Sequence, residues 1–196
     1  MDDGIITFDD FPYNMMKFVD LINESEEMKW KILDYHNQEF VLNSIVDSTV
    51  YTVEGHKKFL ASLPTLKRKH YIVYFDNKPI GKYSFDIDDC GDKVTNAGNY
   101  LFYESDLMSG MGFLMVCFFY RYVFEVVGAK EIHSSARNTN NNSISIGKRL
   151  GMKVVKKDKD KTYAVGFLDS YLEKIPRVNE ILVKSFSTIY SGKALV

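Results

Sequence analysis

The sequence predicts an α/β fold, a sheet flanked by helices, and three observations carry that prediction. Strand-like and helix-like stretches alternate along most of the 196 residues. A glycine pair in LMSGMGF joins a strand pattern to a long apolar helix pattern, a unit common where helices cover a sheet. Hydrophobic residues make up 45% of the chain and aromatic residues 14%, ample material for one core.

Taken in order, GIITFDDF reads as a first strand. Two helical stretches follow, near Met15 to Ile22 and Glu27 to Gln38, with apolar residues recurring at three and four. A third runs near Val53 to Leu63 and is closed by Pro64. HYIVYF and PIGKYSFDI read as strands of a hairpin whose turn, DNKP, contains the turn formers Asp76, Asn77 and Pro79. DDCGDKVTN is a polar loop, and AGNYLFYE is the strand that leads to the glycine turn. The next helix runs from Phe113 to about Val127, where Gly128 stops it. EIHSSAR reads as a strand, and Asn140 to Leu150 as a short helix ended by Gly151. MKVVKKDKDKTYAVGFL is a closing strand pair, with lysines at 156, 157, 159 and 161 around a solvated turn. From Asp169 a helical tail follows, broken at Pro176. These boundaries divide the chain into a domain, 1–168, and a tail, 169–196.

Charge and cysteine usage exclude several classes. Twenty-five basic and 26 acidic residues give a formal net charge of −1, no field to draw nucleic acid or an anionic membrane. MDDGIITFDDF lacks the basic and apolar regions of a signal peptide. The longest apolar run, Met111 to Val127, contains Arg121 and Glu125 and is short for a bilayer span. Cys90 and Cys117 are the only cysteines, so a reducing cytoplasm is the expected location. His56, His70 and His133 have no Cys or carboxylate neighbours at ligand spacing, and no metal is expected.

Gly110 and Gly112 let backbone amides approach a phosphate with no Cβ in the way, and the dipole of the following helix adds to them. The order of elements around this turn resembles the GNAT superfamily of acyl-CoA N-acyltransferases. In that family a loop of pattern Arg/Gln-x-x-Gly-x-Gly/Ala binds the CoA pyrophosphate. Here the pattern falls on Leu107 to Gly112, with both glycines in place and Leu107 at the leading position. The resemblance covers Ile5 to Leu168. It is closest to the branch with ribosomal-protein N-terminal acetyltransferases and PseH-type aminosugar-nucleotide acetyltransferases. Tyr35, His36 and Asn37 stand where that branch has Trp-Arg-Asn, and VEGHKKFLASL where it has a Leu-Glu-Glu-His helix. YIVYFDNKPIGKYSF resembles its second and third strands, and MKVVKKDKDKTYAVGFL its closing hairpin. The resemblance implies a mixed, mostly antiparallel twisted sheet flanked by helices, an α/β (α+β) GNAT fold with the tail as a C-terminal helical extension.

It also implies a chemistry. Acetyl-CoA is the acyl donor, held by Phe102, Tyr103, Glu104, Gly110, Met111, Gly112, Phe113, Asn140, Ser143 and Gly147. Asn140 stands where the family bonds the pantetheine arm, although Asn138, Asn140, Asn141 and Asn142 also suit turns and helix caps. At the position of the family's Tyr, which protonates the leaving thiolate, the chain has Gly147, leaving Ser143, Ser145, Tyr100 and Tyr103 as candidate acids. A thiol pKa near about 8.5 makes the thiolate a tolerable leaving group, so the missing acid costs on the order of a hundredfold or more without abolishing turnover. The branch's Glu is replaced by Asn99, with Glu104 and Asp106 beyond it, and His36 is a further candidate base. Asn99, Tyr103 and Ser143 are thus the catalytic candidates, and Tyr35, His36, Asn37, Tyr83 and Tyr100 the acceptor-binding ones. A site without an obvious base favours an amine with a pKa of about 7.7 over a lysine near about 10.4. The expected reaction is direct acetyl transfer to a primary amine, of an aminosugar nucleotide or a similar small molecule. A protein N-terminus is the alternative acceptor. Leu107, Asn99 and Gly147 together suggest the alternative class, a GNAT-like domain that binds CoA or a partner without catalysis. Three roles are open to the tail: capping the sheet, a homodimer contact, or covering the acceptor site.

Overall fold

Eight strands form one sheet, in the order β1-β2-β3-β4-β5-β6-β8-β7. The computed structural model describes residues 4–193; residues 1–3 and 194–196, on which the readings of the acidic start and of the end of the tail partly rest, lie outside the described residues. The strands are β1 (Ile5–Ile6), β2 (Met16–Asp20), β3 (Lys69–Phe75), β4 (Lys78–Ile87), β5 (Lys93–Leu101), β6 (Glu131–Arg137), β7 (Lys153–Lys157) and β8 (Lys161–Phe167). The helices are α1 (Glu26–His36), α2 (Glu39–Ser44), α3 (Val53–Ser62), α4 (Met111–Arg121), α5 (Asn141–Arg149) and α6 (Leu168–Lys193). All neighbouring strands are antiparallel except β5 and β6, which are parallel because α4 carries the chain back across the sheet.

The alternation of strand side chains sorts the core into two layers. On one face Phe18, Tyr71, Val73, Tyr83, Phe85 and Leu101 pack under α4 and α6. On the other, Ile72 and Phe102 pack under α1 and α3 with Leu21, Met28 and Ile32. Phe59, Tyr35, Tyr100 and Tyr103 border this smaller layer.

Several elements differ from the sequence reading. Met15 to Ile22 is not a helix: β2 occupies Met16–Asp20 and pairs with β3 in register. Its apolar residues fit both periods, and the strand prevails because Met16 and Phe18, two apart, both enter the core. The first strand shrinks to Ile5–Ile6, after which the chain turns Tyr13 into the core. The polar loop ends at Asp92, so β5 begins at Lys93 and stops at Leu101, before the 3-10 turn Glu104–Asp106. α2 was not anticipated, and α4 closes in a π-helical turn, Tyr122–Val127, before Gly128. Pro176 does not break α6. The proline cannot donate to the carbonyl of Leu172, a residue that is 53% exposed, and Tyr171, Val178, Leu182 and Phe186 hold the helix on both sides of it. These four residues belong to the main core, so α6 caps the sheet. No helix among the described residues is long and apolar enough to cross a membrane.

Candidate active site

β5 and β6 run together only at their beginnings. They pair through Lys93 with Glu131, Val94 with Ile132 and Ala97 with Ser134. Beyond that, β5 continues along β4 through Gly98 to Leu101, and β6 continues along β8 as far as Arg137. The parting begins at a bulge, where Asn96 takes a φ of 51°. A clamp fixes it: the Arg68 guanidinium donates to the Asn96 carbonyl and to Asp86 Oδ2, both at 2.8 Å, and the Asn96 amide donates to Asp86 Oδ2 at 2.8 Å. The free edge of β5 thus offers backbone polar groups to whatever enters the gap.

The glycine turn stands at the end of this gap. Gly110 has a φ of 86° and caps α4 with no side-chain bond; a Cβ there would meet nothing within 4 Å. A Cβ on Gly112 would meet only Leu101 Cδ1, at 3.7 Å, which places the start of α4 against the end of β5. Ser109 Oγ accepts from the Met111 amide at 3.2 Å, while the next amides, of Gly112 and Phe113, belong to the first turn, which has no intrahelical acceptor. This open, positively polarised helix start fits a pyrophosphate. Leu107, 39% exposed, adds no polar contact.

α5 borders the gap from the other side. Asn140 caps it, accepting from the Ser143 amide at 3.0 Å, and its Nδ2 donates to the Ser44 carbonyl at 3.0 Å. Both ends of that side chain are therefore engaged in structure. Behind α5 lies a cavity of about 30 Å³, room for one water, whose lining includes Ser134, Ser143, Gly147, Met152 and Thr162. A Cβ at Gly147 would stand 3.0 Å from Met152 Sδ, so Met152 fills the space from which a side chain at 147 would start. Ser143 is the candidate acid that the structure brings to this cavity.

The acceptor candidates divide between the faces. His36 stacks on Tyr51, with ring centroids 3.6 Å apart, and meets the edge of Tyr100 at 5.8 Å. Its Nε2 bonds the Thr49 carbonyl at 3.0 Å, and burial lowers its pKa. Asn37 holds the backbone of Tyr51 through two bonds of 2.8 Å. Tyr35 stacks on Phe102 at 4.0 Å and shares a 3.2 Å hydrogen bond with the Tyr103 hydroxyl; burial, then Tyr103, push its pKa up to about 12. Tyr83 does not join them. It lies on the α4 face, stacked on Phe119 at 4.0 Å, and its register partner Asn99 bonds its hydroxyl. Asn99 is therefore directed away from the Tyr100 side. Glu104 is exposed and Asp106 half-exposed, in the turn after β5.

Sequence reasoning missed Lys82. It is 8% exposed at the middle of β4, in register with Tyr100, and burial followed by Arg68 lowers its pKa to about 8. The visible signal was a lysine inside an apolar strand, PIGKYSF.

No protein-family model matches the chain, and no curated protein sequence matches it. Solved structures do. The Campylobacter jejuni N-acetyltransferase PseH aligns with a TM-score of 0.61 and 17% identity, over 78% of this chain and 98% of its own. An uncharacterized Bacillus halodurans protein aligns with a TM-score of 0.72 and 11% identity, over 88% and 94%. RimL, the ribosomal L7/L12 α-N-protein acetyltransferase, aligns with a TM-score of 0.63 and 14% identity, over 78% and 90%. With its single parallel joint, its parted central strands and the glycine turn at their opening, this chain has the fold of the GNAT N-acyltransferases.

Proposed function

We propose that the protein is an N-acetyltransferase that uses acetyl-CoA as donor and moves the acetyl group directly to a primary amine. The observation that carries this reading is the gap between β5 and β6, opening onto the glycine-led start of α4, where the Gly112 and Phe113 amides have no intrahelical acceptor. Two neighbours of this fold point the same way: PseH has been solved with acetyl coenzyme A and RimL with coenzyme A. The amides of Gly112 and Phe113 would hold the pyrophosphate, and acetyl-CoA supplies an acyl group already activated as a thioester. The free edge of β5 presents N–H groups to an oxyanion forming at that carbonyl. Cys117 is fully buried and burial raises its thiol pKa, which disfavours a covalent enzyme intermediate. The missing Tyr at Gly147 leaves the thiolate to depart unassisted or with the Ser143 hydroxyl, so turnover is slow. We place the acceptor on the His36 and Tyr100 side, and an aminosugar or similar small molecule fits a wall of aromatic rings. A cytoplasmic location suits the two free cysteines.

Thermal unfolding with acetyl-CoA or CoA is the first test. A ligand at a hundred times its dissociation constant adds about 2.7 kcal/mol, a rise of roughly 5 to 10 °C in midpoint. No rise at millimolar acetyl-CoA overturns the reading. A second reading, a GNAT-fold domain that binds CoA without catalysis, draws on Leu107, Asn99 and Gly147; binding with no transfer to any amine would select it.

A further inference from the structure

Lys82 stands among groups that do not neutralise it. Its side chain shares a sheet face with its register partners Ile72 and Tyr100, and its ammonium lies 5.2 Å from the centre of the Phe59 ring. Among the described residues it makes no hydrogen bond or ion pair. The titratable groups facing it are His36 on α1, His56 on α3, His70 on β3 and Arg68 before β3. None is a carboxylate, and Arg68 is engaged by Asp86 at 2.8 Å. The three histidines are held neutral, first by burial and then also by the Lys82 charge. The Tyr100 hydroxyl and the Nδ1 atoms of His56 and His70 are buried without partners.

An unpaired buried cation and orphaned polar atoms are costly, and against Ile72 and Phe59 a leucine or methionine would fill the space more stably. One ligand group satisfies an ammonium and a phenol together: an oxyanion, which accepts from both. Tyr100 belongs to the part of β5 beyond Ala97, where the strands have separated, so this place adjoins the gap. We propose that Lys82 and Tyr100 form the seat for a carboxylate or phosphate carried by the amine acceptor. The proposal rests on the acetyltransferase reading. Entry requires the segment 45–52 to swing aside, since Tyr51 stacks on His36 beside Tyr100; the segment is held by His36 to Thr49 and Asn37 to Tyr51, and its start by Asn140 to the preceding Ser44.

Three related aminosugars test this: D-glucosamine, its 6-phosphate, and muramic acid, which adds a carboxylate. Calorimetric binding to the protein without donor is measured first, then initial rates with acetyl-CoA. At least one charged sugar is expected to bind roughly tenfold or more tightly than glucosamine, as charge-assisted hydrogen bonds allow, and which one does so separates phosphate from carboxylate. Lys82→Met, which removes the ammonium at similar volume, abolishes the preference, and Tyr100→Phe reduces it. Equal binding of all three sugars, or a preference that survives Lys82→Met, overturns the seat. Acetyl-CoA binding, followed in parallel, separates the two ideas. If acetyl-CoA binds and the sugars are not discriminated, only the seat fails. If acetyl-CoA does not bind, the acetyltransferase reading fails, and the donor-free sugar binding still decides whether Lys82 holds an oxyanion.

Discussion

Lys82→Met also isolates what the buried ammonium costs the fold. Burial and Arg68 bring the Lys82 pKa from its ordinary 10.5 to about 8. At about 1.4 kcal/mol for each tenfold change in proton affinity, keeping this group charged costs the folded state about 3 kcal/mol. Methionine removes that cost and forfeits the contact with Phe59, worth about 0.5–1 kcal/mol, for a net gain of about 2 kcal/mol, or roughly 4–8 °C. The sign with pH follows from proton binding. Because the folded pKa is the lower one, the unfolded chain binds more protons between about pH 8 and pH 10.5. Wild-type stability from this group therefore rises through that window, and the cost is in full force below it. The variant should melt higher at pH 7 and lose most of its advantage by about pH 10. Thermal unfolding of both proteins at the two pH values checks this, and other groups titrating there cancel in the difference. A variant that melts lower at pH 7, or by an equal margin at both pH values, would refute the reasoning.

Four further outcomes are expected. Gly110→Val meets no neighbour but must hold a φ of 86°, so it should cost about 1–2 kcal/mol in the melt and weaken acetyl-CoA binding at least about tenfold by calorimetry. Gly147→Tyr forces Met152 aside and should destabilise by about 1–3 kcal/mol, a loss that urea titration of Gly147→Tyr with Met152→Ala should show partly restored. Asn140→Ala removes a helix cap and the tie to Ser44; about 1–2 kcal/mol of stability should go, with faster hydrogen exchange in residues 45–52. Phe186→Ala empties a fully buried site against Phe75 and should cost about 3–5 kcal/mol in the same titration.

Local chemistry made some of these features legible. The hairpin between β3 and β4 announces itself because Asp76 and Asn77 accept φ values of 48° and 60° that a two-residue turn demands. Gly110 was visible for the same reason. β2 was hidden because MMKFVDLI satisfies a helical and a strand period at once, and only the pairing with β3 decides between them. Tyr83 and Tyr100, grouped together in the sequence reading, stand on opposite faces because Tyr83 is in register with Asn99 and Tyr100 with Lys82, a pairing set between two strands and invisible in either alone. Asn140 had two readings in the sequence, and its capping bond to Ser143 and tie to Ser44 show the structural one in place. The solitude of Lys82 depends on what three separate elements fail to provide, which no single stretch of sequence can display.

The last helix follows β8 directly, yet its contacts reach across to the opposite half of the sheet. Tyr13 donates to Asn179 at 2.8 Å and Phe186 meets Phe75 at 5.7 Å, while nearer its start Tyr171 donates to Glu125 at 2.8 Å. The two sheet halves share only three register pairs at their parallel seam, so α6 works as a cross-brace that sets the angle between them. A chain still lacking this helix would hold every strand and yet leave the width of the gap undetermined. The site would then be gauged only when α6 has docked.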